Sequence, residues 1–175
     1  FKLVKDNYKT WNKKLDQLFG FSEIEQYLYV FDGNNMVEFR NVPTNILVPY
    51  TFVQNDFVDN VNKIFNDNKN SIQLIDSEFL WGKTNQEFEG FTQLFFLNKY
   101  VELSGSEIKN PRAQQFPIED MNSGQWYISL EFENPRDFEE ITDDNKGKFL
   151  AIVLDNEVKM APRINQKIAG GKAQI

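Results

Sequence analysis

Hydrophobic positions change period several times along the chain, and the changes predict its elements. Over residues 8–19, Tyr8, Trp11, Leu15, Leu18 and Phe19 fall on one helical face, with Asn7 placed to cap the start and Gly20 just past the end. Strand-like runs follow at 24–31 and 36–42, joined across Asp32-Gly33, a pair that tolerates the positive φ of a tight turn. Pro43 and Pro49 bracket an irregular connection. A second helix is expected over 56–66, where Phe57, Val61, Ile64 and Phe65 recur at i, i+4, i+7 and i+8. Asn55 stands as its cap, and Asp56 and Asp59 suit the positive end of its dipole. The polar run 66–70 ends that helix, and 72–79 reads as a further strand.

Residues 80–98 obey neither period: Phe79, Trp81, Phe88, Phe91, Phe95, Phe96 and Tyr100 recur without a clean spacing. Order returns after Val101. Trp126, Ile128, Leu130 and Phe132 alternate with Tyr127, Ser129, Glu131 and Glu133, the pattern of a half-buried strand. Asn134-Pro135 supplies a cap and a first-turn proline for a short helix with Phe138 and Ile141 inward, Gly147 closes it, and 149–154 is the next strand. Helix, hairpin, helix and strand are ferredoxin-like in outline. The chain therefore reads as α+β: a ferredoxin-like unit over 1–98, then a second α+β unit over 99–175 with a mainly antiparallel sheet.

Composition narrows the chemistry. With 41% hydrophobic and 15% aromatic residues, the 175-residue chain has the material for a folded core. Nineteen basic against 26 acidic residues give a net charge of −7, and no Lys/Arg cluster exceeds two residues, so the electrostatic footprint of a nucleic-acid binder is missing. The chain has no Cys and no His, which removes thiol nucleophiles, His bases, Ser-His-Asp triads and ordinary zinc sites together. It begins with Phe and has no apolar run near the ~20 residues that span a bilayer. It reads as a soluble piece excised from something longer.

Several polar clusters resemble reactive sites and also fit plainer readings. Glu87/Glu89, Glu131/Glu133, Asp137/Glu139/Glu140 and Asp143/Asp144 sit close in sequence, but a glycosidase needs two carboxyls converging across a sugar. Glu131 and Glu133 share the polar face of one strand, where a solvated surface puts them. Asp143, Asn145 and Gly147 space like the start of a calcium loop, yet Leu154 occupies the position of the closing Glu. Gly170-Gly171-Lys172 lacks the Ser/Thr, glycine spacing and following helix of a phosphate loop. No catalytic, cofactor-binding or metal-ligating residue is assigned. The aromatic stretch 79–100 competes as a surface for unfolded apolar polypeptide, with core packing as the alternative.

The C-terminal segment carries a resemblance. Leu150 to Asp155, Val158, Ala161-Pro162, Ile164-Asn165 and Gly170-Gly171-Lys172-Ala173-Gln174-Ile175 come in the order of the hallmark segment of SecD, the family of Sec protein-export membrane subunits. Val101-Glu102-Leu103-Ser104-Gly105-Ser106-Glu107-Ile108 resembles its Leu-Thr-Gly element, and Ile128-Ser129-Leu130-Glu131-Phe132 and Asn145-Lys146-Gly147-Lys148 fall in the matching places. Residues 1–98 are similar in outline alone. Asn156 stands where the family usually has Gly, and Lys159-Met160 and Arg163 where it has small or aliphatic residues.

The resemblance implies the large extracytoplasmic domain of a SecD or fused SecDF subunit of the cell (inner) membrane. Its transmembrane segments would lie outside this chain, together with the residues that carry protons. Its implied partners are SecF, the SecYEG channel and the unfolded preprotein, and it implies no enzyme and no cofactor. Within this reading, Trp81, Phe91, Phe95 and Tyr100 are the expected polypeptide-contact residues. The alternatives are a scaffolding module between SecDF and the channel, and, further off, a carboxylate-based hydrolase.

Overall fold

The computed structural model of the chain describes residues 1–6, 8–19, 23–45, 47–73, 75–83, 88–117 and 122–174. Asn7, Gly20, Glu87 and Ile175 lie outside the described residues. In chain order the elements begin with β1 (Lys2–Leu3), α1 (Tyr8–Phe19), β2 (Tyr29–Phe31), β3 (Met36–Glu38), β4 (Thr51–Gln54), α2 (Val58–Asp67) and α3 (Lys69–Gln73). They continue with β5 (Ser77–Trp81), β6 (Phe91–Asn98), β7 (Ile108–Gln115), β8 (Trp126–Phe132), α4 (Pro135–Asp144), β9 (Leu150–Leu154), β10 (Glu157–Met160) and β11 (Lys172–Gln174). Every strand pair in the three sheets is antiparallel, so the fold is α+β with mainly antiparallel sheets.

The chain forms two interleaved compact units and not two consecutive ones. The larger comprises Lys2–Val101 and Lys148–Pro162; the smaller comprises Phe1, Glu102–Gly147 and Arg163–Ile175. A linear division at residue 99 would separate β9 and β10 from the strands they pack on.

In the larger unit a five-stranded sheet has the order β3-β2-β4-β6-β5. The path β4, α2–α3, β5 with β6 between the two strands is a split β-α-β crossover, half of the ferredoxin-like arrangement. One sheet face packs on the helices: Trp11, Leu15, Leu18 and Phe19 of α1 and Val61 of α2 meet Val30, Val53, Leu94 and Phe96 in one buried cluster. The Trp11 indole N–H reaches the Val48 carbonyl (3.0 Å), so its polar atom is not stranded. The opposite face packs on the sheet β1-β9-β10, where Val4, Leu80, Phe95, Leu97, Ala151 and Val158 form a second cluster.

This double cover explains why 80–98 showed no period. Along β6, Leu94 and Phe96 enter the helix-side cluster while Phe95 and Leu97 enter the other, so both strand faces must be apolar and the alternation disappears. Phe79 stacks on Phe96 with centroids 4.8 Å apart, as their register on β5 and β6 requires.

Several boundaries differ from the sequence expectation. Ile24 and Leu28 are both fully buried at i, i+4, and a 3₁₀ turn over Glu25–Tyr27 achieves this; the strand is left with Tyr29–Phe31. A second 3₁₀ turn, Phe39–Asn41, shortens the next strand to Met36–Glu38. Asn55 does not cap α2: it opens a 3₁₀ turn, and its Oδ1 accepts from the Thr92 hydroxyl (2.9 Å). The polar run 66–70 does end α2, at Asp67, but a further short helix and not a strand follows it. Asn68 donates its backbone N–H and its side-chain amide to the Ile64 carbonyl, and the chain turns into α3 instead of a strand.

In the smaller unit the sheet order is β11-β8-β7, with α4 against one face. The Asn134 side chain caps α4 by accepting from the Arg136 N–H, with Pro135 in the first turn, as read from the sequence. Phe138 of α4 stacks on Phe132 of β8 (4.4 Å), and Phe1 meets Phe132 edge-on (5.4 Å).

Candidate functional site

The aromatic residues expected to contact polypeptide occupy different environments. Phe95 is 2% exposed and packs on Tyr50 (centroids 5.0 Å). Trp81 is half-buried beside the helix-side cluster, its ring near Phe65 and its N–H donated to Asn62 Oδ1 (2.9 Å). Register pairs Trp81 with Leu94 and Leu80 with Phe95, so Trp81 and Phe95 point to opposite faces of one sheet. Phe91 is half-buried at the start of β6, edge-on to Tyr29 (5.6 Å). Tyr100 lies beyond the strand, 72% exposed. The four do not converge on one surface.

The exposed apolar surface of the smaller unit lies elsewhere. Period-2 geometry puts Trp126, Ile128, Leu130 and Phe132 on one face of β8, yet Leu130 and Phe132 are buried while Trp126 is 67% and Ile128 46% exposed. The ten residues of α4 extend about 15 Å at 1.5 Å per residue, whereas the seven of β8 extend about 23 Å at 3.3 Å per residue. The helix packs at the Phe132 end and leaves the Trp126 end open. Alternation identified the face, but it cannot report how far a covering helix reaches, so all four residues read as core.

The opposite face of this sheet is polar. Directly paired residues share a face, which places Gln174, Ser129 and Arg112 in one row and Lys172, Glu131 and Lys109 in the next. Tyr127 donates its hydroxyl to Gln114 Oε1 (2.7 Å) along the same face. Among the described residues no ion pair joins Lys109, Arg112, Glu131 or Lys172 to another side chain.

The remaining candidate chemistry resolves into structure. Asp143 pairs with the Lys146 ammonium, whose hydrogen bond holds its carboxyl below the usual range, and the Asn145 side chain closes α4 on the Ile141 carbonyl. Gly147, at φ 85°, donates its N–H to the Ile164 carbonyl. These residues finish a helix. Among the described residues no group of three acidic side chains is placed to hold a metal.

Glu25 is a buried carboxyl. It is 5% exposed, its Oε1 has no hydrogen-bond partner among the described residues, and burial pushes its carboxyl above the ordinary range; the Arg40 guanidinium opposes the rise and Asp16 adds to it. It lies inside a run read as strand, and nothing local in the sequence marks it.

A few residues set the turns and contacts of the segment over 150–174. Asp155 and Asn156 take φ 52° and 63°, both positive, and reverse β9 into β10 in a two-residue turn. Pro162 accepts at its carbonyl from the Leu150 N–H, Ile164 is buried, and the Ile168 N–H reaches Thr142 Oγ1 (3.0 Å). Gly170 and Gly171 take φ 80° and 63° just before β11, so Lys172 opens a strand and not a phosphate-binding helix.

The family model described as SecDF, P1 head subdomain, matches residues 82–175, more than half of the chain. The chain belongs to the SecD/SecDF family. The protein translocase subunit SecD of Acetobacter pasteurianus is 38% identical over 78 residues, 43% of this chain and 14% of that protein. SecDF of Thermus thermophilus is 44% identical over 77 residues, 42% of this chain and 10% of that protein. The chain thus spans a small part of the curated relatives it matches. A solved structure of the membrane component SecDF aligns over all of this chain and 85% of that one at 21% identity, with a TM-score of 0.41. The SecD/SecDF relatives are named as subunits of a protein translocase, which places the family in protein transport. No helix among the described residues is long and apolar enough to cross a membrane.

Proposed function

We propose that this domain belongs to the extracytoplasmic part of a Sec protein-export subunit of the cell membrane, acting with SecF and the SecYEG channel, and that it engages the translocating preprotein. In the full-length subunit, proton flow through membrane segments outside this chain would drive its late-stage work. The observation that carries the polypeptide contact is the uncovered end of β8. Trp126 and Ile128 present adjacent apolar side chains on a strand face that α4 leaves open, within the stretch matched by the head-subdomain model. An unfolded chain offers apolar side chains in no fixed order, and a short open aromatic ledge accepts them without sequence selectivity. Of the four aromatic residues singled out from sequence, the reading retains Tyr100, the exposed one.

The test is Trp126→Ser in the full-length subunit. Export of a secreted reporter should fall while the thermal midpoint of the purified domain stays unchanged, because an exposed side chain contributes little to folding. Undiminished export would refute the assignment.

A further inference from the structure

The polar face of β7, β8 and β11 forms an open groove of about 630 Å³ within the smaller unit, lined among others by Asn110, Arg112, Gln114, Glu131, Lys172 and Gln174. Its charge runs against that of the molecule. The chain carries −7 overall, yet Arg112, Lys172 and the neighbouring Lys109 surround the single carboxylate of Glu131, and none of the four is ion-paired among the described residues. Three side-chain amides, Asn110, Gln114 and Gln174, line the same groove as the cations and offer both donors and acceptors. We propose that this groove binds an extended acidic stretch of polypeptide, its carboxylates held by Arg112 and Lys172 and its backbone by the amide side chains.

The inference rests on the polypeptide-contact reading above and names the class of segment that this second face takes. The two faces of one sheet then sort their contacts by chemistry, apolar side chains at Trp126 and Ile128 and acidic stretches in the groove behind them. Strand alternation is what separates them: Arg112 lies opposite Ser129 on the groove face, and Ala113 lies opposite Ile128 on the other. Arginine supplies a planar fork that takes a carboxylate bidentately, which favours an acidic side chain over a neutral amide of the same shape.

Fluorescence anisotropy with the whole 175-residue chain tests it, using three labelled unstructured peptides of equal length whose variable positions are Glu, Gln or Lys. The Glu peptide should bind more tightly than the Gln peptide, and Arg112→Gln with Lys172→Gln should weaken it by roughly five- to tenfold, the scale of two exposed charge-assisted contacts. Added salt should erode the preference for Glu over Gln as well, since exposed pairs are screened. Equal binding of the Glu and Gln peptides, or a double variant that binds the Glu peptide as the parent does, overturns the groove assignment. Neither result touches the Trp126 ledge, which the export assay tests separately.

Discussion

A Cβ placed on Gly171 would stand 2.6 Å from Pro135 Cα and 2.8 Å from its Cβ. The glycine before β11 and the first residue of α4 touch, and that contact seats the last strand of the smaller unit against its helix. Gly170 beside it also has positive φ, but a Cβ there would meet nothing within 4 Å.

The pair makes a controlled prediction. Gly170→Ala incurs the left-handed backbone penalty alone, about 1–2 kcal/mol. Gly171→Ala adds overpacking against Pro135 and should cost about 2–4 kcal/mol in total. Urea unfolding of both variants checks the order; equal losses would remove the role given to the contact.

Phe95 is core on the face of the larger sheet covered by β1, β9 and β10, and Phe95→Ala should destabilise the domain by about 3–5 kcal/mol, the cost of a large buried ring and its cavity. Export lost in this variant should track lost folded protein. A variant with parental stability would place the ring outside the core.

Much of this architecture was legible, and the failures share a cause. Helix α1 with Trp11, Leu15, Leu18 and Phe19, the capped helix α4 and the Asp155-Asn156 turn all follow from local spacing and capping. Phe95 and Trp81 looked like a surface because β6 is covered on both faces, and a strand covered twice loses its alternation. Trp126 looked like core for the converse reason: its alternation is regular, but α4 is too short to cover it. The location of apolar residues was local information. What covers them was not.

Glu25 gives a pH signature. Its carboxyl is raised in the folded state above the ordinary 4.5, mainly by burial, so the folded chain binds its proton more tightly than the unfolded chain does. Glu25 therefore withdraws stability as pH climbs from about 4.5 through its folded value, and the deficit remains above it. Glu25→Gln removes this dependence. Against the parent, the variant should gain thermal stability as pH rises from 4 toward 7, with the smallest difference at the acid end. A difference between the two that does not change with pH would show that this carboxyl does not titrate abnormally.

The central claim, that the uncovered end of β8 touches preprotein, is tested most directly by site-specific photocrosslinking in the full-length subunit with a translocating chain arrested in the channel. A crosslinking residue at 126 should form adducts with the arrested chain, and one at 95 should form none, because Phe95 is buried while Trp126 is open. Adducts at 95 with none at 126 would contradict the account.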